Sequence, residues 1–172
     1  MRTGIFVGRF QPFHKGHLEA VRYALGRVDR LIIVIGSAQR NYEPRNPFTL
    51  GERMEMIWMT MRSEGLLDRV LMVPVPDVEN HATWVKFVTT SAPEFEAVFS
   101  NDPLTLELFR EEGYDAIEVP LLNRPLYMAT EVRQRMANGG NWEDLVPGPV
   151  ADYLRSIGAV DRVKRILSRE GS

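Results

Sequence analysis

The stretch of sequence that decides the fold lies at residues 5–17 and reads IFVGRFQPFHKGH. It begins with a short apolar run that ends at Gly8, which is typical of a buried strand, and the glycine permits a tight exit from that strand. A loop with Pro12 follows. From about Lys15 to Arg27 apolar side chains recur on one face, which predicts a helix. The stretch therefore predicts a strand, a loop and a helix, the repeating unit of α/β proteins.

The same alternation continues along the chain. Predicted strands follow at residues 30–35, 69–75, 97–99 and 116–119, and predicted helices begin near residues 49, 83, 102, 130 and 149. Thr49 and Glu52 have the spacing of a capping box. The charges from Arg162 to Glu170 indicate the solvated face of a last helix. Strands and helices in alternation predict a parallel sheet wrapped by helices, a Rossmann-like doubly wound α/β fold in one domain, residues 1–172, with C-terminal helices.

Composition narrows the class of protein. A chain of 172 residues with 44% hydrophobic and 26% charged residues suits one domain with a substantial core. The formal net charge of -2 gives no overall attraction to nucleic acid or to an anionic membrane. The chain has no cysteine, which excludes disulfides, thiolate catalysis and cysteine-based metal sites. Neither a signal peptide nor an apolar stretch of membrane-spanning length is visible, so we expect a cytoplasmic protein.

Four conspicuous segments follow predicted strands. They are residues 8–17, 36–40, 76–84 and 99–102, and a fifth, 127–133, opens a late helix. Ligands of open α/β sheets bind at the carboxyl ends of the strands. These segments are therefore expected to form the binding site, with Asp102 either in the cleft or capping a helix.

The two histidines of the first segment suit phosphate chemistry. His14 and His17 are three residues apart at a helix start, so their side chains share a face. Gly16 lets the backbone approach a ligand, and the N–H groups of a helix start favour phosphate. Each imidazole can donate to phosphate oxygens. A zinc site is the alternative, but His81 is the only other histidine and no third ligand cluster accompanies the pair, so no metal site on protein side chains is predicted.

The sequence resembles a known family. A strand followed by H-x-G-H is the pattern of the nucleotidyltransferase superfamily. The longer form G-R-F-Q-P-x-H-x-G-H is similar to the nicotinamide mononucleotide adenylyltransferases of the archaeal type. The segments 36–39, 46–49, 51–54 and 129–133 stand in the same order as in that family, so the resemblance covers nearly the whole chain.

The resemblance implies an activity. The enzyme would transfer the adenylyl group of ATP to nicotinamide mononucleotide by direct in-line attack on the α-phosphate, with NAD and pyrophosphate as products. It implies Mg2+ carried mainly by the ATP phosphates, and it implies a homo-oligomer such as a hexamer.

The resemblance also implies roles for individual residues. Trp84 would stack on the nicotinamide ring, and Asn80 or His81 would contact its amide. Thr130 would cap its helix and donate to a phosphate, while Met128 stands where the family usually has serine. The implied catalytic residues are His14, His17, Arg9 and Arg133. The implied substrate-binding residues are Gly8, Phe10, Gln11, Lys15, Gly16, Ser37, Gln39, Arg40, Arg45, Asp77, Asn80, His81, Trp84, Asn101, Tyr127 and Thr130.

Two alternatives stay open. Adenylyl transfer to flavin mononucleotide or phosphopantetheine, and cytidylyl transfer, use the same H-x-G-H, although residues 9–12 and Trp84 favour the nicotinamide substrate. A nucleotide-sensing module that has lost catalysis is the second alternative. The presence of both histidines, Thr130 and Arg133 argues against it.

Overall fold

The computed structural model describes residues 1–120 and 127–170. Contacts divide the chain into two compact units. The first, which we call the sheet unit, comprises residues 1–9, 19–39 and 67–121. The second, the helical unit, comprises residues 10–18, 40–66 and 122–172. A single domain over residues 1–172 stays a prediction.

Five parallel strands form the sheet. They are β1 (Thr3–Gly8), β2 (Arg30–Ile35), β3 (Val70–Pro74), β4 (Ala97–Ser100) and β5 (Asp115–Glu118), in the order β3-β2-β1-β4-β5. Phe6 on the central strand stands opposite Ile33 on one side and Phe99 on the other. This strand order reverses direction beside β1, as in Rossmann folds, and confirms the predicted fold class.

Seven α-helices occur in the described residues. They are α1 (Lys15–Leu25), α2 (Leu50–Ser63), α3 (His81–Ser91), α4 (Pro103–Glu111), α5 (Ala129–Asn138), α6 (Gly148–Ser156) and α7 (Ala159–Glu170), with short 3-10 turns at Leu67–Arg69 and Glu143–Leu145. In the part of the chain that the structure describes, none of these helices has the length and apolar character needed to cross a membrane.

The core of the sheet unit explains why its strands form. Residues 31–35 of β2 have no exposed surface, as expected for a parallel strand that is covered on both faces. Ile5, Ile32 and Val98 from three strands pack in one cluster with Val88 of α3 and Phe109 of α4. Each such side chain contributes about 1.5–3 kcal/mol of burial free energy.

Local signals set the helix starts of the helical unit. The predicted capping box of α2 is confirmed: Thr49 Oγ1 accepts from Glu52 N at 3.1 Å, and Glu52 Oε1 accepts from Thr49 N at 2.9 Å. Gly158 separates α6 from α7, and its φ of +67° lies in the left-handed region that glycine adopts without strain.

Three sequence predictions need correction. The third strand begins at Val70 rather than at residue 69, because a 3-10 turn ends there. The following helix begins at His81 rather than near 83, because the Asn80 side chain accepts from Thr83 N and caps it. Arg162 does not lie on a solvated face: its side chain is only 11% exposed, because its guanidinium is paired with Glu52.

Candidate active site

The two histidines form a reciprocal cap on α1, within the helical unit. His14 N donates to His17 Nδ1 at 3.1 Å, and His17 N donates to His14 Nδ1 at 3.3 Å. The rings stack with their centroids 3.6 Å apart. This is the connectivity of a capping box, with imidazoles in place of the usual serine and glutamate. The helix start is therefore built from the residues predicted to be catalytic. We call residues 10–18 the histidine turn.

These bonds fix the protonation state of both rings. A ring nitrogen that accepts a hydrogen bond carries a lone pair, so each imidazole is neutral and holds its proton on Nε2. Burial, and then the positive charge of Arg133, lower the pKa of His14 to about 3. Burial, and then the repulsion that two protonated rings would exert on each other, lower the pKa of His17 well below 6.5. Two neutral Nε2–H donors result at neutral pH.

Gly16 has no room for a side chain. A Cβ on Gly16 would stand 2.9 Å from His14 Cε1 and 2.9 Å from the backbone oxygen of Tyr127. Both distances are far shorter than real Cβ contacts. Position 16, directly before His17, must therefore be glycine for the His14 ring to keep its place.

The loop before the histidines is fixed by Gln11. Its Nε2 donates to Phe48 O at 3.0 Å, and Phe48 N donates to its Oε1 at 2.9 Å. Gln11 and Phe10 are each 1% exposed. Phe10 has a φ of +56°, an unusual and strained conformation for a bulky residue. The Gln11 side chain is thus occupied by backbone, and its predicted contact with substrate stays a prediction.

Arg133 lies next to this loop. Its Nη1 donates to Gln11 O at 2.8 Å. Arg133 belongs to α5, whose N-cap is Met128, with φ -135° and ψ 141° and no side-chain hydrogen bond. The prediction that Thr130 caps this helix is wrong, because the helix begins at Ala129 and Thr130 is its second residue.

A cleft of about 510 Å³ lies in the sheet unit. Residues that follow the ends of β1, β2, β3 and β4 contribute to it, as expected from the strand order. Its lining residues are Val7, Gly8, Arg9, Gly36, Ser37, Asp77, Trp84, Ser100, Asn101, Asp102 and Thr105. Six predicted site residues are among them: Gly8, Arg9, Ser37, Asp77, Trp84 and Asn101.

Hydrogen bonds hold the polar wall of the cleft. Ser37 Oγ donates to Asp77 Oδ1 at 2.8 Å, and Asp77 N donates to Gln39 Oε1 at 3.1 Å. Trp84 stands edge-to-face against Phe109, with the ring centroids 5.7 Å apart. The indole is therefore anchored in the core and is also part of the cleft wall.

The predicted helix cap at Asp102 is confirmed, and its role in the binding site stays a prediction. Asp102 lines the cleft, and its carboxylate accepts from Thr105 N at 3.2 Å, which caps α4. Sequence reasoning did not assign Thr105 to the site, and it included Ser100 only as part of segment 99–102. Their spacing around Asp102 is the signal that could have found them, since small polar residues at a strand-to-helix turn lie at the ligand edge of the sheet.

The remaining predicted residues lie elsewhere. Gln39, Asn80 and His81 belong to the sheet unit but are not part of the cleft lining. Arg40 and Arg45 belong to the helical unit, where Arg40 pairs with Glu43 at 3.6 Å and Arg45 is exposed. Lys15, Tyr127 and Thr130 are also in the helical unit. Among residues 1–120 and 127–170, no cluster of three histidine, cysteine or acidic side chains could hold a metal ion.

Comparison with known proteins gives a consistent result. A family described as cytidylyltransferase-like matches residues 5–135. The chain is 45% identical to a nicotinamide-nucleotide adenylyltransferase of Pyrococcus furiosus, over 98% of this chain and 90% of that protein. It is 40% identical to one of Saccharolobus solfataricus, over 99% of each.

A solved structure shares the fold. It is a bifunctional NMN adenylyltransferase/ADP ribose pyrophosphatase from Francisella tularensis, complexed with AMP and a manganese ion. The match has a TM-score of 0.79 and 27% identity, and it covers 99% of this chain. The chain spans about half of that larger protein, 53% of its length.

Proposed function

Because this chain belongs to the cytidylyltransferase-like family, we propose that it transfers the adenylyl group of ATP to nicotinamide mononucleotide, forming NAD and pyrophosphate. The resemblance that the motifs indicated is confirmed by the family match and by the identity to the archaeal relatives. The observation that carries the reaction type is the histidine turn, with its two oriented neutral imidazoles.

The chemistry is a displacement at phosphorus. An oxygen of the 5′-phosphate of nicotinamide mononucleotide attacks the α-phosphorus of ATP. The bond from that phosphorus to the bridging oxygen breaks, and the electron pair leaves with pyrophosphate. Such transfers need positioning and stabilisation of charge more than a covalent enzyme nucleophile. The residues of the histidine turn suit that task.

The histidines donate hydrogen bonds to the charge that develops. Because Nδ1 of each ring accepts from the backbone, the ring proton is on Nε2, and the Nε2–H is the group proposed to donate to phosphate oxygens in the substrate complex. Because the rings are held by each other and by the start of α1, they need little rearrangement as the triphosphate splits. A neutral donor also keeps the same protonation state throughout the reaction.

Arg133 supplies a positive charge beside the histidine turn. Its Nη1 donates to Gln11 O, and this bond helps to fix the guanidinium in place. A guanidinium can bind phosphate oxygens through two parallel hydrogen bonds. Arg133 therefore binds the β- and γ-phosphates, which take up negative charge as pyrophosphate leaves.

The cleft of the sheet unit suits the nicotinamide base. The pyridinium ring is cationic, and an indole face such as that of Trp84 stabilises a cation by about 0.5–2 kcal/mol. The carboxylates of Asp77 and Asp102 are in the same lining and add attraction for positive charge. Phosphopantetheine has no cationic ring, so this attraction would not favour it.

Magnesium is the proposed metal. This hard cation prefers oxygen ligands, which the phosphates of ATP and bound waters supply. The ion would be carried mainly by ATP phosphates, and when bound it neutralises part of their charge. The related Francisella structure contains manganese, which points to a divalent ion.

Assembly into a homo-oligomer, with a hexamer as the expected form, stays part of the proposal. Light scattering coupled to size-exclusion chromatography measures the mass directly. A monomeric mass at working concentration would remove this part of the proposal and leave the reaction untouched.

The reaction itself is tested by direct assay. The purified protein is mixed with ATP, Mg2+ and nicotinamide mononucleotide, and NAD is followed with a coupled dehydrogenase, beside His17→Ala. We expect NAD formation that collapses in the variant. A folded protein that binds ATP but makes no NAD would overturn the proposal. Flavin mononucleotide, phosphopantetheine and CTP would then be tried, and ATP binding without any turnover would favour the sensing module.

A further inference from the structure

Arg162 of α7 makes the most complete ion pair among the described residues. Its Nη1 donates to Glu52 Oε1 at 2.6 Å and its Nη2 to Glu52 Oε2 at 2.8 Å. Nη1 also donates to Pro47 O at 3.3 Å. The side chains of Arg162 and Glu52 are only 11% and 15% exposed. Burial would raise the pKa of Glu52, but the bonds from Arg162 and Thr49 hold it below its ordinary value.

A pair of this kind adds little net stability. Removing two charges from water costs about as much as their attraction returns, and apolar residues of similar size often stabilise a fold equally well. Such pairs can instead fix one conformation among several. The contacts of Arg162 show which conformation is fixed here.

Arg162 holds the segment 47–49 from two directions. Glu52 Oε1 accepts from Thr49 N as well as from Arg162, so the ion pair is joined to the capping box of α2. The carbonyl of Pro47 is bound directly. The guanidinium carbon also lies 4.6 Å from the ring centroid of Tyr42. The backbone on both sides of Phe48 is therefore tied to α7.

Phe48 passes this restraint to the histidine turn. Its N–H and carbonyl are the two partners of the Gln11 side chain, at 2.9 and 3.0 Å. The carbonyl of Gln11 in turn accepts from Arg133 at 2.8 Å. Hydrogen bonds within the helical unit therefore link Arg162 and Glu52 to segment 47–49, Phe48 of that segment to Gln11, and Gln11 to Arg133, with the backbone of 47–49 as the covalent link.

We propose that Arg162 is a positioning residue for adenylyl transfer: it fixes segment 47–49, which through Gln11 sets the places of Arg133 and the histidine turn. The inference rests on the proposed function and assigns Arg162 no contact with substrate. It concerns the chemical step, because a small misplacement of charge-stabilising groups lowers the rate by about tenfold to hundredfold.

The test is a double-mutant cycle with Arg162→Met, Gln11→Met and both together. Methionine keeps length and apolar bulk but has no charge or donor. Arg155→Met is the matched control, because Arg155 on α6 also pairs with two acids, Glu143 and Asp152, but is half exposed. The kcat and KM values for ATP and nicotinamide mononucleotide are measured per folded enzyme, beside the melting temperature.

We expect Arg162→Met to lower kcat by about tenfold or more with small changes in KM, and Arg155→Met to change kcat by less than about twofold. Because Arg162 acts through Gln11, the double variant should lose less than the product of the two single losses. If Arg162→Met does not fold, Arg162→Lys takes its place in the cycle, since it keeps the charge but not the paired geometry.

Two outcomes overturn the inference. One is an unchanged kcat per folded enzyme with a lowered melting temperature, which is the signature of a merely structural pair. The other is independent losses that multiply in the double variant, which would exclude the route through Gln11. A wild-type protein that makes no NAD would instead overturn the proposed function, so the two failures are distinguishable.

Discussion

His14 and His17 each accept the backbone N–H of the other through Nδ1, with their rings stacked 3.6 Å apart. The two residues that carry the proposed chemistry therefore also start α1. One nitrogen of each ring serves the fold, and the proposed phosphate contact belongs to the other. Substitutions at these positions must be chosen so that the two roles are tested separately.

The pH dependence of stability tests the neutral state of His14. Its pKa is about 3 in the folded protein, against an ordinary value of 6.5 that applies to the unfolded chain. Between those values the unfolded chain binds more protons, so the free energy of unfolding falls as pH falls below 6.5, by up to about 1.4 kcal/mol per pH unit for this group.

Urea unfolding between about pH 5 and pH 7 measures this slope. His14→Asn is the reference variant, because asparagine is a good helix cap that does not titrate. We expect the wild-type slope to exceed that of the variant in this range. Equal slopes would show that His14 is not held neutral by the fold.

His17→Asn separates the cap from the chemistry. The asparagine Oδ1 can take the place of Nδ1 and accept from His14 N, but the variant has no Nε2–H. We expect kcat to fall by about 10²–10³-fold in both His17→Asn and His17→Ala. Only the alanine variant should also lose about 1 kcal/mol of stability. An asparagine variant with near wild-type kcat would argue against the Nε2–H donor.

Gly16→Ala should damage both rings at once. The new Cβ would lie 2.9 Å from His14 Cε1 and from Tyr127 O, so the imidazole or the backbone must move. We expect a loss of about 1–3 kcal/mol in stability and a large loss of kcat. Gly51→Ala in the first turn of α2 is the control, since a Cβ there meets nothing within 4 Å. Equal stability and equal kcat in the two variants would contradict the close approach of Gly16 to His14 and Tyr127.

Trp84→Phe tests the nicotinamide site in the cleft. The phenyl ring keeps an aromatic face and a partner for Phe109, but it binds a cation more weakly than indole does. We expect KM for nicotinamide mononucleotide to rise by about twofold to tenfold, with KM for ATP little changed. Trp58→Phe on α2 is the control, and it should leave both KM values at the wild-type level. If Trp84→Phe raised KM for ATP alone, the cleft would be assigned to the adenine base instead of the nicotinamide.

Met128→Ser should improve the start of α5. Met128 has the extended backbone of a helix cap but makes no side-chain hydrogen bond. A serine hydroxyl could accept from the first turn and stabilise the protein by about 0.5–1 kcal/mol. Met128→Ala removes the same thioether without adding an acceptor. Thermal unfolding of the two variants gives the contribution of the hydroxyl, and equal melting temperatures would exclude the cap.

The sheet and its ligand edge could be predicted from sequence because their signals are local. The apolar run of β2 and the glycine after β1 are read without knowledge of distant residues. A parallel sheet then brings Ser37, Asp77 and Trp84 to one edge. The observed starts of the third strand and of the helix at His81 differ from the predicted ones by a few residues. Turn geometry, which the apolar pattern does not encode, sets these limits.

The contacts that hold the candidate catalytic residues are not local. Gln11 and Phe48 are 37 residues apart, and Glu52 and Arg162 are 110 residues apart. No sequence-spacing rule indicates contacts between residues so far apart. The run of charged residues alone led to the wrong prediction that Arg162 is solvated. Thr130 was misassigned because threonine is a preferred cap, whereas the chain uses Met128, which residue preferences disfavour.

The side chain of Gln11 imitates a backbone neighbour, since it offers one donor and one acceptor to Phe48 as a paired strand would. Glutamate could not replace it, because two acceptor oxygens would face a carbonyl. A homologue that had lost its enzymatic activity would thus still be under selection for glutamine here. In comparing genomes, this letter of the motif therefore reports inheritance of the loop and does not by itself report retention of the reaction.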